Sequence, residues 1–237
     1  ESMRGGSLPA HERSSGHILF PWIDELMRNE TILDAVEDLI GPDILCWNSV
    51  FWIKEASSPS YVGWHQDLEY WGLSSAEVVS IWIALSDASE DAGCMSVIPG
   101  SHKYVIPHNE TYAEDNLLSR GQELEIDLRR QSTVAMPLEA GQVSFHNVRT
   151  AHGSGPNSTL DRRIGLSFHY MPTHTKQTLA EWDTAALVRG EDQHHNFEHC
   201  PQPAYDLEPA AVEFHKRAAD AMRQIIYAGA RTDQPTL

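Results

Sequence analysis

The chain has 237 residues, of which 41% are hydrophobic and 22% charged, a composition typical of a globular domain and not of a disordered chain. Its formal net charge of -17 argues against nucleic acid or an anionic membrane surface as a partner. No apolar stretch is long enough to span a membrane, and the three cysteines form no CxxC pair, so the sequence predicts a cytoplasmic protein.

The N-terminal region is predicted to be helical after a polar start. Residues 1–16 are rich in Gly, Ser and charge, which predicts a flexible segment. Helices are predicted over Trp22–Arg28 and Thr31–Leu39, where apolar residues recur at helical spacing. Residues 17–237 are predicted to form a single domain.

Strand-like segments dominate the middle of the chain. They are apolar or alternate with period two, and Gly and Pro punctuate the gaps between them. The candidates are Ile44–Lys54, Val78–Leu85, Cys94–Pro99, Thr133–Met136, Gln142–Val148 and Arg162–Met171. This spacing predicts a mainly β fold with flanking helices, whose barrel or sandwich core covers residues 44–172.

Two further regions carry predictions. Residues 109–130 form a long polar insertion, which is typical of a functional loop, of a lid, or of a loop with its own helix. A C-terminal helical region is predicted over about 178–228, with helices near Leu179–Val188 and Pro209–Tyr227. The loop between these helices is predicted to be solvated, because its candidate ligands do not have the spacing of a zinc finger. These candidates are His194, His195, His199 and Cys200.

The segment Gly63-Trp64-His65-Gln66-Asp67 suggests a metal site. If it is extended, His65 and Asp67 point to one face of a strand and Gln66 to the other. An imidazole and a carboxylate from one strand plus a distant imidazole make a facial triad, the geometry of iron(II) oxygenases. His152 is the candidate for the third ligand. The alternatives are a structural His65–Asp67 pair and a turn histidine at His152.

Arg163 suggests a binding site for a carboxylate. Period two places Arg163 on one face of its predicted strand with Gly165, Ser167 and His169. A buried arginine is costly unless it meets an anion, and a bidentate carboxylate is its natural partner. A dicarboxylate cosubstrate would chelate the metal at one end and meet Arg163 at the other. The alternative is an ion pair with Asp161.

Together these residues resemble the phytanoyl-CoA dioxygenase family of iron and 2-oxoglutarate oxygenases, over roughly residues 18–175. The resemblance rests on Trp64-His65-Gln66-Asp67, Gly93-Cys94-Met95, Pro99-Gly100-Ser101-His102, His152-Gly153-Ser154 and Arg162-Arg163-Ile164-Gly165. It implies a double-stranded β-helix, the jelly-roll core of cupin-like proteins.

The resemblance also implies the cofactors and their ligands. Iron(II) would be bound by His65, Asp67 and His152, and Arg163 would form a salt bridge with the distal carboxylate of 2-oxoglutarate. Dioxygen would be the second cosubstrate. The other implied cosubstrate contacts are Ser154, Trp82 and, as a looser candidate, Lys54.

The function that this resemblance implies is hydroxylation of an unactivated C–H bond in a small-molecule metabolite, with release of succinate and carbon dioxide. Related halogenases carry Gly or Ala at the position of Asp67, so a carboxylate there favours hydroxylation, desaturation or ring closure over halogenation. The alternatives are a cupin-like metal-binding or sensor protein without turnover, a cupin metalloenzyme that needs no cosubstrate, and a zinc hydrolase. The sequence predicts no oligomeric state.

The substrate is left open by the sequence. An acidic chain with no evident basic patch is a poor host for a polyanionic CoA tail, so phytanoyl-CoA itself is not expected. Trp64, Tyr70 and Trp71 are candidates for an aromatic wall or for a cage around a cation, although core packing is their commoner role. His108 and Arg120 are further candidates for substrate contacts.

Overall fold

A computed structural model describes residues 13–230 of the chain. It divides into two compact units. The first takes in the chain up to Phe51, Gly72–Val79 and the chain from Phe168 on, and the second takes in Trp52–Trp71 and Ser80–Ser167. Residues 1–12 of the predicted flexible segment lie outside the described residues, and the single domain over residues 17–237 stays a prediction.

Four α-helices are found in residues 13–230: α1 (Pro21–Met27), α2 (Glu30–Ile40), α3 (Leu68–Trp71) and α4 (Pro209–Ile226). Pro21 starts α1, where its fixed φ suits the first helical turn. Asn29 caps α2, because its side chain accepts a hydrogen bond from the Ile32 N–H. The predictions for α1, α2 and α4 are confirmed. Within the same residues, no helix has the length and hydropathy needed to cross a bilayer.

The strands are β1 (Ile44–Lys54), β2 (Val62–His65), β3 (Val79–Ala84), β4 (Met95–Val97), β5 (His108–Glu110), β6 (Gln122–Leu124), β7 (Val134–Met136), β8 (Val143–Asn147), β9 (His152–Ser154), β10 (Arg163–Pro172), β11 (Thr184–Arg189) and β12 (Glu198–His199). In the first unit the sheet order is β12-β11-β1-β10. In the second unit one sheet has the order β1-β10-β3-β8 and another the order β2-β9-β4-β7, and β5 pairs with β6. The predicted mainly β class with flanking helices is confirmed.

The second unit contains two apolar clusters that support its sheets. One joins Trp82, Ala84, Ala88 and Cys94, and the other joins Ile98, Leu124 and Ala151. All six residues of β3 are buried, so both faces of this strand are covered, although its sequence alternates with period two.

The prediction of a helix near Leu179–Val188 is wrong, because Thr184–Arg189 form strand β11. Ala and Leu favour helices, but this is a weak preference that tertiary pairing overrides. β11 pairs antiparallel with β1 in the first unit, with Cys46 opposite Ala186. Ala186 is fully buried there. α4 is therefore the only α-helix within the described part of the predicted C-terminal helical region.

The polar insertion and the histidine-rich loop also have defined structures. Residues 109–130 contain part of β5, the whole of β6 and a 3-10 helix at Leu128–Arg130, and no α-helix. In the loop, the Asp192 carboxylate accepts hydrogen bonds from the N–H groups of His194 and His195, and its other oxygen lies 2.9 Å from His199 Nε2. These side chains form no cluster of metal-ligand type among the described residues.

Candidate metal centre

His65 and Asp67 approach each other at the end of β2. His65 is the last residue of the strand, whereas Asp67 lies in the turn before α3 and donates its N–H to Val148 O at 3.1 Å. The segment is therefore extended only as far as His65. The two side chains still converge, with His65 Nε2 3.1 Å from Asp67 Oδ1.

His152 joins this pair from a neighbouring strand. It is the first residue of β9, and it lies opposite His65 in the antiparallel β2–β9 pair. The centroids of the two imidazole rings are 4.2 Å apart. One ligand atom from each of His65, Asp67 and His152 lies within 4.8 Å of the others, and all three residues are buried.

Backbone carbonyl groups determine the tautomers of both histidines. His65 Nδ1 lies 2.8 Å from Gly63 O, and His152 Nδ1 lies 2.9 Å from Thr150 O. A carbonyl oxygen only accepts, so each Nδ1 donates its hydrogen, which leaves Nε2 as the nitrogen of each ring that is available to bind a metal. Burial, and then the charge of His65, lower the pKa of His152 to about 4, so this ring is neutral near pH 7.

Two imidazole nitrogens and a carboxylate therefore share a small buried volume, and these are donor types that a divalent cation binds. The donor set fits a divalent metal bound by two neutral imidazoles and one carboxylate, each imidazole oriented by its outer hydrogen bond. A structural His65–Asp67 pair alone does not account for the third converging side chain.

Arg163 has no anionic partner in the described part of the chain. It is the first residue of β10 and is 2% exposed, and burial lowers its pKa to about 10. Its Nε and Nη2 atoms are buried and make no hydrogen bond within residues 13–230. Two unused, buried N–H donors along one edge of the guanidinium fit a carboxylate that accepts both hydrogen bonds. The alternative ion pair with Asp161 is not formed.

Trp82 forms a wall beside this guanidinium. The Arg163 Cζ atom lies 5.3 Å from the centroid of the indole ring. Gly165, two residues along the strand, makes the approach possible, because a Cβ atom there would overlap the indole. The predicted shared face of Arg163 and Gly165 agrees with this packing.

Lys54, at the end of β1, is fully buried beside this group. Its ammonium donates to Ser154 Oγ at 2.6 Å, to Gly93 O at 3.4 Å and to Gly155 O. Burial and then the neighbouring Arg163 charge lower the pKa of Lys54 to about 7. Because all three ammonium hydrogens have protein acceptors, Lys54 holds Ser154 in place and adds positive potential.

Among the residues predicted to contact substrate, Tyr70 contacts both Arg120 and His108. Trp64 packs against the Ile98, Leu124 and Ala151 cluster, which is core packing. The guanidinium of Arg120 lies over the Tyr70 ring, with Cζ 5.2 Å from the ring centroid, and Arg120 also forms an ion pair with Glu110. His108 lies edge-on to Tyr70, with ring centroids 5.3 Å apart. A substrate role for these side chains stays a prediction.

Sequence reasoning missed two residues of this site. His146, on β8, places its ring centroid 4.8 Å from that of His152. Period two along β8 puts His146 on one face with buried Ser144 and leaves Phe145 exposed, and this pattern could have identified it. Gln66 was expected only to point away from the metal, but it is almost completely buried and makes several hydrogen bonds.

Comparison with known proteins places these features in a family. The sequence model of the family described as Phytanoyl-CoA dioxygenase (PhyH) matches residues 7–165, which include every predicted site residue. The chain is 37% identical over 155 residues to a Stutzerimonas stutzeri protein named probable alpha-ketoglutarate-dependent hypophosphite dioxygenase, covering 63% of this chain and 53% of that protein. It spans about half the length of the curated relatives it matches.

Solved structures give the same result. ThoJ, a non-heme monooxygenase, is 33% identical with a TM-score of 0.82, covering 95% of this chain and 83% of that one. The epimerase SnoN, solved in complex with Fe3+, alpha ketoglutarate and nogalamycin RO, is 26% identical with a TM-score of 0.53, covering 65% of this chain and 60% of that one. The predicted jelly-roll fold is confirmed, and so is the predicted cofactor pair of iron and 2-oxoglutarate at the level of the family.

Proposed function

We propose, from the premise that the chain belongs to the phytanoyl-CoA dioxygenase family, that it is an iron(II)- and 2-oxoglutarate-dependent oxygenase that hydroxylates a small molecule. The observation that carries this proposal is a pair of neighbouring features. Three ligand atoms lie within 4.8 Å of one another, and Arg163 has two buried donors without a partner. The second feature favours an oxygenase over a zinc hydrolase or a cupin without cosubstrate, since neither of these needs a buried carboxylate clamp.

His65, Asp67 and His152 are the proposed iron ligands. Hydrogen bonds from Nδ1 to carbonyl oxygens hold both imidazoles with Nε2 directed inward. The Asp67 carboxylate would hold the metal where the related halogenases have Gly or Ala, which favours hydroxylation over halogenation. Bound iron(II), together with 2-oxoglutarate and dioxygen, would supply the oxidising power for C–H hydroxylation, with succinate and carbon dioxide as the coproducts.

The cosubstrate is proposed to bind through Arg163, which donates Nε–H and Nη2–H to its distal carboxylate. Trp82 supports the guanidinium from one side. Ser154 contacts the same carboxylate, and Lys54 fixes this hydroxyl at 2.6 Å while adding a second positive charge. Burial of these groups excludes water and strengthens the attraction for an anion.

The substrate is proposed to be a small molecule, as the names of the relatives suggest for those proteins. The acidic chain makes nucleic acid and anionic membranes unsuitable partners. We further propose a cytoplasmic location, which the three free cysteines favour.

The test is an anaerobic titration. Adding 2-oxoglutarate to the iron(II)-loaded chain should give a charge-transfer band near roughly 500 nm, which zinc cannot give. Admitting oxygen should then release succinate slowly even without substrate. A chain that binds iron but gives neither the band nor succinate would be a metal-binding or sensor protein, and this outcome would overturn the proposal.

A further inference from the structure

Gln66, the residue between the proposed ligands His65 and Asp67, is a buried hydrogen-bonding centre. Its side chain is 1% exposed and points away from the ligands. The carboxamide nitrogen lies within hydrogen-bonding distance of three carbonyl oxygens, and the carboxamide oxygen accepts the Ile106 N–H at 2.8 Å. The three carbonyls are those of Ser101 at 3.3 Å, Tyr104 at 2.9 Å and Arg149 at 2.6 Å.

One of these bonds reaches the segment that carries the third proposed ligand. Arg149, whose carbonyl takes the shortest of the three bonds, precedes His152 by three residues. The neighbouring carbonyl of Val148 accepts the Asp67 N–H at 3.1 Å. The Gln66 side chain and the Asp67 backbone N–H therefore both donate hydrogen bonds to the segment that precedes His152.

A second connection passes through Ser101. The Ser101 carbonyl accepts from Gln66, and the Ser101 hydroxyl accepts the Ala151 N–H at 2.8 Å, one residue before His152. The hydroxyl in turn donates to Ile98 O at 2.7 Å. The residue before His152 is thus held by the same turn that holds the Gln66 side chain.

The backbone of Gln66 is held as well, because its N–H donates to His108 Nε2 at 2.9 Å. With side chain and backbone both bonded, the peptide units on either side of Gln66 have little freedom to rotate. These two units carry His65 and Asp67, so their orientation depends on Gln66.

We infer that Gln66 is a positioning residue for the metal centre. It fixes the position of the His65–Asp67 segment relative to the His152 segment. This inference rests on the proposed metal-binding function. Outer hydrogen-bond partners of metal ligands typically contribute about 10–100-fold to metal affinity. Gln66 acts one step further out, but on both ligand-bearing segments at once, so we expect an effect within this range.

The test compares two buried amides in the full chain. Gln66→Glu keeps the shape and the acceptor for Ile106 but turns an oxygen toward the three carbonyls. Asn157→Asp is the matched control, because Asn157 is 1% exposed and its amide nitrogen also lies near three carbonyls, which belong to neither ligand-bearing segment. Both variants should lose stability by thermal unfolding.

The readout is Co(II) binding, which is measured by calorimetry and from the visible spectrum of the bound ion. Gln66→Glu should bind Co(II) about 10–100-fold more weakly and with a changed spectrum, whereas Asn157→Asp should bind as the wild type does. Equal affinity and spectra in wild type and Gln66→Glu, despite lower stability, would make Gln66 a purely structural residue and overturn the inference.

Two further results keep the outcome decisive. If Gln66→Glu does not fold, Ser101→Ala removes the bond to Ala151 and should weaken Co(II) binding about tenfold, at the lower end of the same range. Unchanged binding in Ser101→Ala would then count against the inference. A wild-type chain that binds no Co(II) would reject the proposed metal function itself, and the inference with it.

Discussion

Arg163→Met is the substitution that most directly tests the carboxylate clamp. Methionine keeps an unbranched, apolar side chain against Trp82 but removes the charge and both unpartnered donors. The three proposed metal ligands are untouched, so metal binding should not change. The affinity for 2-oxoglutarate should fall steeply, because the distal carboxylate would be buried without its main partner.

The size of this loss follows from the two free donors. A hydrogen bond to a charged group contributes about 1.5–3 kcal/mol, so two such bonds contribute about 3–6 kcal/mol. At about 1.4 kcal/mol for each factor of ten, the Kd for 2-oxoglutarate should rise about 10²- to 10⁴-fold. Arg163→Lys retains the charge without the fork geometry and should lie between the wild type and Arg163→Met.

The assay is an anaerobic titration of the iron(II)-loaded variants with 2-oxoglutarate, followed at the charge-transfer band. Arg162→Met is the matched control, since the neighbouring Arg162 is half-exposed and pairs with Glu55 at 2.8 Å. Its Kd should equal that of the wild type. A change of less than about tenfold in Arg163→Met, or an equal change in Arg162→Met, would refute the assignment of the clamp.

Stability should respond to Arg163→Met in the opposite sense. Burial lowers the pKa of Arg163 to about 10, and this shift corresponds to about 3 kcal/mol against the buried cation. Removing that cation relieves this cost, and loss of the contact with Trp82 offsets only part of the gain. In the absence of cosubstrate, Arg163→Met should therefore melt at the same temperature as the wild type or at a higher one.

Three other outcomes are expected. Because Lys54 has a pKa of about 7 and a bound dicarboxylate favours its protonated form, the Kd for 2-oxoglutarate should rise roughly tenfold from pH 7 to pH 8.5. Titrations at several pH values should show this rise. The same pH dependence of the Kd in Lys54→Met would contradict it. Gly165→Ala should lower the free energy of unfolding by about 1–3 kcal/mol, because its Cβ overlaps the Trp82 indole; Gly155→Ala, which points into open space, should be neutral in the same denaturation experiment. Asp67→Ala should weaken Co(II) binding by more than about tenfold, and added chloride should restore part of the affinity. An unchanged Co(II) affinity, measured by calorimetry, would remove Asp67 from the proposed ligands.

The residue types of the site could be predicted from the sequence because they are chemically unusual. A purely structural role rarely requires the whole set of a His-x-Asp pair, a later histidine and an arginine on a polar strand face. Most strands, including β1 and β10, could also be predicted, since alternation and apolar content are local properties. The alternation that placed Arg163 beside Gly165 is confirmed by the packing of Gly165 against Trp82.

Only the tertiary structure decided how these side chains meet. The pairing of β2 with β9 brings His65 opposite His152, and no local pattern encodes a contact between strands so distant in the chain. The same holds for β11, where strand pairing overrode a helical composition. The carbonyl partners of the two imidazoles and the saturation of Lys54 depend on backbone positions to within a few tenths of an ångström. Residue types therefore determine which chemistry is available to this protein, whereas long-range pairing and backbone hydrogen bonds determine its geometry.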